Sequence, residues 1–168
     1  FLLGIAAALV LGWIIFPNVL YVQQSQPMKF NHKVHMEQVG YCGYCHSYRD
    51  DGSYAGLPTT DTCAMCHSSV TETNPPSINK LVREYVQKDK EIPWKIYQEQ
   101  PDNVYFSHIA HDDYDCTRCH PDIGQSSDEP PRFQNRLTGY TRTTMTMDEC
   151  ERCHAKQDAS NACYVCHK

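Results

Sequence analysis

The chain has 168 residues, enough for about one domain, with a formal charge of −5 and ten cysteines. No basic patch is interleaved with aromatics, which excludes a nucleic-acid-binding surface. Beyond its first 22 residues the chain is polar and rich in Pro, Tyr, Asp and Thr, so side chains alone cannot build a large core.

Residues 1–22 read FLLGIAAALVLGWIIFPNVLYV and carry no charge. As a helix they span about 33 Å, close to the hydrocarbon thickness of a bilayer. Pro17 and Asn18 are expected to bend or end the helix, and Trp13 and Tyr21 to anchor it at an interface. Gly4, Ala8 and Gly12 share one face on which a second membrane helix could pack closely. No small-x-small cleavage site follows, which favours an uncleaved single-pass anchor over a signal peptide.

Next come Phe30-Asn31-His32-Lys33-Val34-His35 and then Cys42-Gly43-Tyr44-Cys45-His46. Thr60-Asp61-Thr62 leads into Cys63-Ala64-Met65-Cys66-His67. Pro75-Pro76-Ser77 offers a stop and an N-cap for a packing helix that places Ile78, Leu81, Val82, Tyr85 and Val86 on one face. The order then repeats. Phe106-Ser107-His108-Ile109-Ala110-His111 precedes Cys116-Thr117-Arg118-Cys119-His120. Residues 121–146 read as loop, with Pro130-Pro131 and Gly139. Met147-Asp148-Glu149 leads into Cys150-Glu151-Arg152-Cys153-His154, and Cys163-Tyr164-Val165-Cys166-His167 closes the chain. The two Phe-x-His-x-x-His units stand 76 residues apart, so 30–67 and 106–154 form a pseudo-repeat with a fifth site at 163–167.

Cys-x-x-Cys-His is the attachment pattern for c-type haem: two thiols form thioethers, and the adjacent His ligates the iron. Five copies use all ten cysteines. Zinc sites built from two such pairs would leave one pair over, and neither zinc nor disulfides account for a His after every second Cys. The expected cofactors are five covalently attached c-type haems, with His46, His67, His120, His154 and His167 as proximal ligands. His32, His35, His108 and His111 are the remaining histidines, and their three-residue spacing turns both members of a pair to one side. They are the expected distal ligands. The first of each pair is expected to serve the next haem along the chain, and the second to reach elsewhere. Five irons and four distal histidines leave one site for another donor, for which Met147 is best placed and Met145 second. Met/His ligation raises the reduction potential.

The expected fold is a multihaem cytochrome c. Residues 1–22 form the transmembrane anchor helix, and 23–168 form a pentahaem domain of coil and short α-helices wrapped around the haems, with little or no β-structure. Covalent haem attachment occurs on the exported side, so the expected location is the bacterial inner membrane with the haem domain periplasmic. Haem propionates would add to the acidic charge and suit a basic electron carrier.

With these motifs the chain resembles the multihaem cytochrome subunit of alternative complex III, a quinol-oxidising complex. The resemblance rests on the anchor, Phe30-x-His32-x-x-His35, Thr60-Asp61-Thr62-Cys63 and Ile92-Pro93-Trp94 leading to Asp102-Asn103-Val104-Tyr105-Phe106-Ser107-His108. Met147-x-x-Cys150-x-x-Cys153-His154 completes it. It implies an electron-transfer subunit without catalysis of its own, relaying electrons from menaquinol toward a periplasmic acceptor. The implied partners are an iron–sulfur, molybdopterin-like subunit, polytopic membrane subunits and a monohaem cytochrome. The implied acceptor is a soluble cytochrome c, a blue copper protein or an oxidase. Two other functions compete: a self-contained NapC/NirT-type quinol dehydrogenase, also held by one helix, and a small multihaem reductase, which would need an open iron in a walled pocket.

Overall fold

In the computed structural model, which describes residues 1–167, the chain forms two compact units. One comprises Phe1–Ser25, Ile96–Asp102 and Pro131–Asn161. The other comprises Gln26–Lys95, Asn103–Pro130 and the stretch from Ala162.

The first unit begins with a helix over Leu2–Leu20, long and apolar enough to cross a membrane, none of it buried against the protein. It consists of α1 (Leu2–Val10), a π-helical turn (Leu11–Ile15) and α2 (Phe16–Leu20). The expected break at Pro17 takes another form. Proline has no N–H to continue the i→i−4 ladder, and the helix absorbs the defect by widening just before it. The Phe16 N–H bonds to the Leu11 carbonyl, and the Asn18 amide donates to the Ile14 carbonyl at 2.6 Å. The helix therefore runs past Pro17 and ends at Leu20, leaving Tyr21 and Val22 extended rather than within the anchor.

Tyr21–Gln24 forms β1, paired antiparallel with β2 (Arg132–Asn135) in the register Tyr21↔Asn135 to Gln24↔Arg132. This is the little β-structure expected, and it falls partly in the stretch read as loop. Beyond β2, the Asn135 side chain accepts from the Leu137 and Thr138 N–H groups, and Gly139 supplies the positive φ (78°) that turns the chain back. Thr143 and Thr144 hydroxyls donate to the Tyr97 and Glu99 carbonyls, tying in the 96–102 segment. The last helix of this unit is α6 (Met147–Lys156), whose start is closed by reciprocal contacts between Thr146 and Glu149.

In the second unit, α3 (His32–Val39) starts at Asn31, whose side chain accepts from the Val34 N–H at 3.1 Å, and stops at Gly40 in the left-handed conformation. A short α4 (Thr60–Ala64) is pinned where the buried Thr60 hydroxyl donates to the Lys90 carbonyl and its N–H to the Glu91 carboxylate. The expected packing helix is α5 (Pro76–Glu84), with Pro76 in its first turn and Leu81 and Val82 buried. The C-terminal turn is α7 (Cys163–Cys166). Among the described residues, the buried apolar side chains are Leu81, Val82 and Ile92, of which Val82 is fully enclosed. Three such side chains are too few to order a domain of this size, as the polar composition leads one to expect.

Candidate haem-attachment sites

Each Cys-x-x-Cys-His stretch closes one turn. The histidine N–H donates to the carbonyl of the first cysteine in four of them: His46 to Cys42 (3.0 Å), His67 to Cys63, His120 to Cys116 and His167 to Cys163 (2.9 Å each). The fifth, Cys150–His154, lies within α6. The turn at Cys116 is set by Asp115, whose carboxylate accepts from the Thr117 N–H at 2.8 Å. That bond and the Thr117 hydroxyl hold the Asp115 carboxyl below its usual range. None of the ten cysteines is joined in a disulfide, which leaves all ten available for thioethers.

The imidazoles carry a second regularity. Six place Nδ1 on a main-chain carbonyl: His46 on Gly56 (2.8 Å), His154 on Ser160 (2.9 Å), His167 on Asn103 (3.2 Å), His35 on Asn31 (2.7 Å), His108 on Ser53 (3.0 Å) and His111 on Ser107 (2.8 Å). A carbonyl can only accept, so Nδ1 carries the proton and Nε2 keeps its lone pair for a metal. This is the outer support that metal-binding histidines use to fix tautomer and ring direction.

The two Phe-x-His-x-x-His units fold alike. Phe30 meets His32 edge-on (4.7 Å) and stacks on His35 (4.3 Å, 18°). Phe106 meets His108 edge-on (4.8 Å) and stacks on His111 (4.5 Å, 26°). Within the second unit one histidine of each pair lies close to a histidine of an attachment turn. His35 and His67 ring centroids are 6.2 Å apart, and those of His108 and His120 are 6.3 Å apart with parallel planes. Metal–imidazole bonds of about 2 Å on both sides, plus roughly 1 Å from nitrogen to ring centre, set about 6 Å between two imidazoles sharing one metal. Burial, with His46 and then His35 close by, lowers His32 to about 4, so it too is a neutral imidazole at ordinary pH.

Among the described residues, no three His, Cys, Asp or Glu side chains converge as a metal-binding group. Donors that face each other in twos suit an iron that brings its own four equatorial nitrogens. They do not suit zinc or an iron–sulfur cluster, which takes its donors from the protein. The donor set therefore fits haem. Met147, the expected fifth distal donor, stands in the first turn of α6 and is 63% exposed. Sequence reasoning missed the carbonyls of Ser53, Gly56, Asn103 and Ser160, since any residue type can supply one. The nearest signal was the turn-forming Asp50-Asp51-Gly52-Ser53.

Thiol pairs on single turns, each followed by an imidazole, define the class of c-type cytochromes that hold several haems. Residues 16–92 match the class III cytochrome c family. The multihaem cytochrome c subunit of a menaquinone reductase from Nitratidesulfovibrio vulgaris is 46% identical over 187 residues, covering 100% of this chain and 89% of that protein. The chain belongs to the multihaem cytochromes c, and covalently bound c-type haem follows from that membership.

Proposed function

We propose that this chain is the electron-relay subunit of a membrane complex, carrying five covalent haems between an extracytoplasmic electron carrier and menaquinone. Haem iron, alternating between ferrous and ferric, supplies the electron-carrying chemistry. The ten cysteines tether, and the histidines of the five turns ligate from the proximal side. His32, His35, His108 and His111 ligate from the distal side, and Met147 completes the fifth site. The observation that carries this reading is the opposed imidazoles at 6.2 and 6.3 Å, which supports His35 with His67 and His108 with His120 as axial pairs.

The printed name of the 46%-identical relative supports electron flow toward menaquinone. That is the reverse of the flow implied by the likeness to alternative complex III. The same likeness supports an iron–sulfur subunit and polytopic membrane subunits as partners, with the quinone site in one of them. A single apolar helix with one small-residue face fits a subunit that packs against others. The haem-bearing residues 23–168 then face the periplasm.

The test compares the purified complex, the complex lacking this chain, and this chain alone. Each is given a reduced soluble cytochrome c and a menaquinone analogue. The complex is expected to reduce the quinone, and neither of the other two should. Quinone turnover by the chain alone, at the rate of the complex, would establish the NapC/NirT-type reading instead. Turnover only with quinol as donor would restore the direction of alternative complex III. A mass lacking five haems would end the five-haem reading.

A further inference from the structure

The segment Ser47–Gly56 holds two imidazoles from different halves of the pseudo-repeat. It is a small hairpin: Tyr48 bridges Ala55, the Arg49 N–H donates to the Tyr54 carbonyl (2.9 Å), and the Gly56 N–H to the Ser47 carbonyl (2.7 Å). The Arg49 guanidinium lies over the Tyr54 ring. From one end, the Gly56 carbonyl accepts the His46 Nδ1–H at 2.8 Å. From its tip, the Ser53 carbonyl accepts the His108 Nδ1–H at 3.0 Å.

Three contacts seat the tip. Gly52 is buried at φ +70°, and a Cβ there would lie 2.9 Å from Ile109 Cδ1. The Ile109 N–H donates to the Gly52 carbonyl at 3.3 Å. The Tyr48 hydroxyl donates to Asp112 at 2.5 Å, while the Tyr48 ring stacks beside that of His108. The Cys42 and Cys116 side chains also lie close together, so the two attachment turns are neighbours.

We propose that the Ser47–Gly56 hairpin is a positioning element that sets the axial bonds of His46 and His108 together, so that two of the haem potentials respond as a pair. This rests on the reading of both histidines as iron ligands. A hydrogen bond from Nδ1–H to a carbonyl makes the imidazole a stronger donor, and a stronger donor favours ferric iron. Both acceptors belong to one ten-residue hairpin, so a shift at its tip changes both ligands.

The test is Gly52→Ala in the full chain, in its complex. Its added methyl group meets Ile109 at a backbone angle that L-residues rarely adopt. Haem number by mass, midpoint potentials by spectroelectrochemical titration and low-spin g values by electron paramagnetic resonance are read together. The expected result is five haems, two potentials shifted upward, two low-spin signals moved and three unmoved. Tyr48→Phe, which removes only the bond to Asp112, should shift the same two potentials by less. It serves alone if Gly52→Ala fails to assemble. Five haems with one, none or all of the potentials shifted by both variants would overturn the proposal. Fewer than five haems in the unsubstituted chain would instead overturn the ligand reading on which it rests.

Discussion

The two Phe-x-His-x-x-His units share their inner geometry and differ in what they lean on. In both, the second histidine bonds to the carbonyl four residues before it, Asn31 for His35 and Ser107 for His111. In both, phenylalanine fills the corner between the imidazoles. The first histidines part company. His108 donates to Ser53, whereas His32 Nδ1 is buried with no hydrogen-bond partner. What lies within one helical turn is reproduced, and what depends on a distant loop is not.

The strongest way to break the comparison is to remove a haem from one half. Cys63→Ala with Cys66→Ala should lower the mass by one haem and lower stability by about 5 kcal/mol, at the upper end of large core deletions, because so little apolar side chain is otherwise buried. Mass spectrometry and thermal unfolding check this. An unchanged melting temperature would show that the halves stand without their haems.

Opening one axial position is next in size. His35→Ala and His108→Ala should each convert one low-spin haem to high spin, visible by electron paramagnetic resonance, with the other signals intact. Loss of two low-spin signals from either variant would contradict the pairings with His67 and His120.

The unequal first histidines give a sharper test. An imidazole whose Nδ1–H has no acceptor is the weaker donor, so the haem ligated by His32 should have a higher potential than the one ligated by His108. His32→Met should raise that potential further, as thioether ligation does. Redox titrations of the unsubstituted chain and of His32→Met check both orderings.

A smaller effect is expected where the halves agree. Phe30→Leu and Phe106→Leu should each cost about 1 kcal/mol, the worth of a stacked ring pair beyond its area, and should cost the same in both halves. Chemical denaturation measures both, and a large inequality would mean that the shared geometry hides different packing.

The least effect belongs to α6. The Thr146 N–H and hydroxyl hold the Glu149 carboxyl below its usual range. A carboxylate lowered in the folded state stabilises above its unfolded pKa, and that contribution disappears as pH falls through the folded value. Thr146→Ala should therefore lower stability slightly at neutral pH, and by less in acid. Unfolding curves at the two pH values check it.

Much of this was legible because it is local. Two residues between cysteines and none before the histidine fix a single turn, and all five stretches make it. His-x-x-His after phenylalanine fixes a helical turn with both rings on one side. The twenty-odd apolar residues at the start could be little but a helix. The features that escaped are joined across the chain. The pairing of Tyr21–Gln24 with Arg132–Asn135 depends on residues more than a hundred positions apart and carries no alternation of its own. The supports of His46 and His108 are backbone carbonyls, which no side chain announces. The end expected near Pro17 and Asn18 comes later, at Leu20. A π turn and the Asn18 amide repair a missing N–H without interrupting the helix.

The helix that could enter a membrane passes into its ribbon with no residue between them: α2 ends at Leu20 and β1 begins at Tyr21. Arg136 fastens the seam, its N–H on the Leu20 carbonyl and its side chain on that of Val19. A leash of n flexible residues would let its cargo wander by about 5–6 Å × √n. Here the leash has no length. The same unit carries the Cys150–His154 turn, so a redox group mounted there would belong to the body from which the helix emerges.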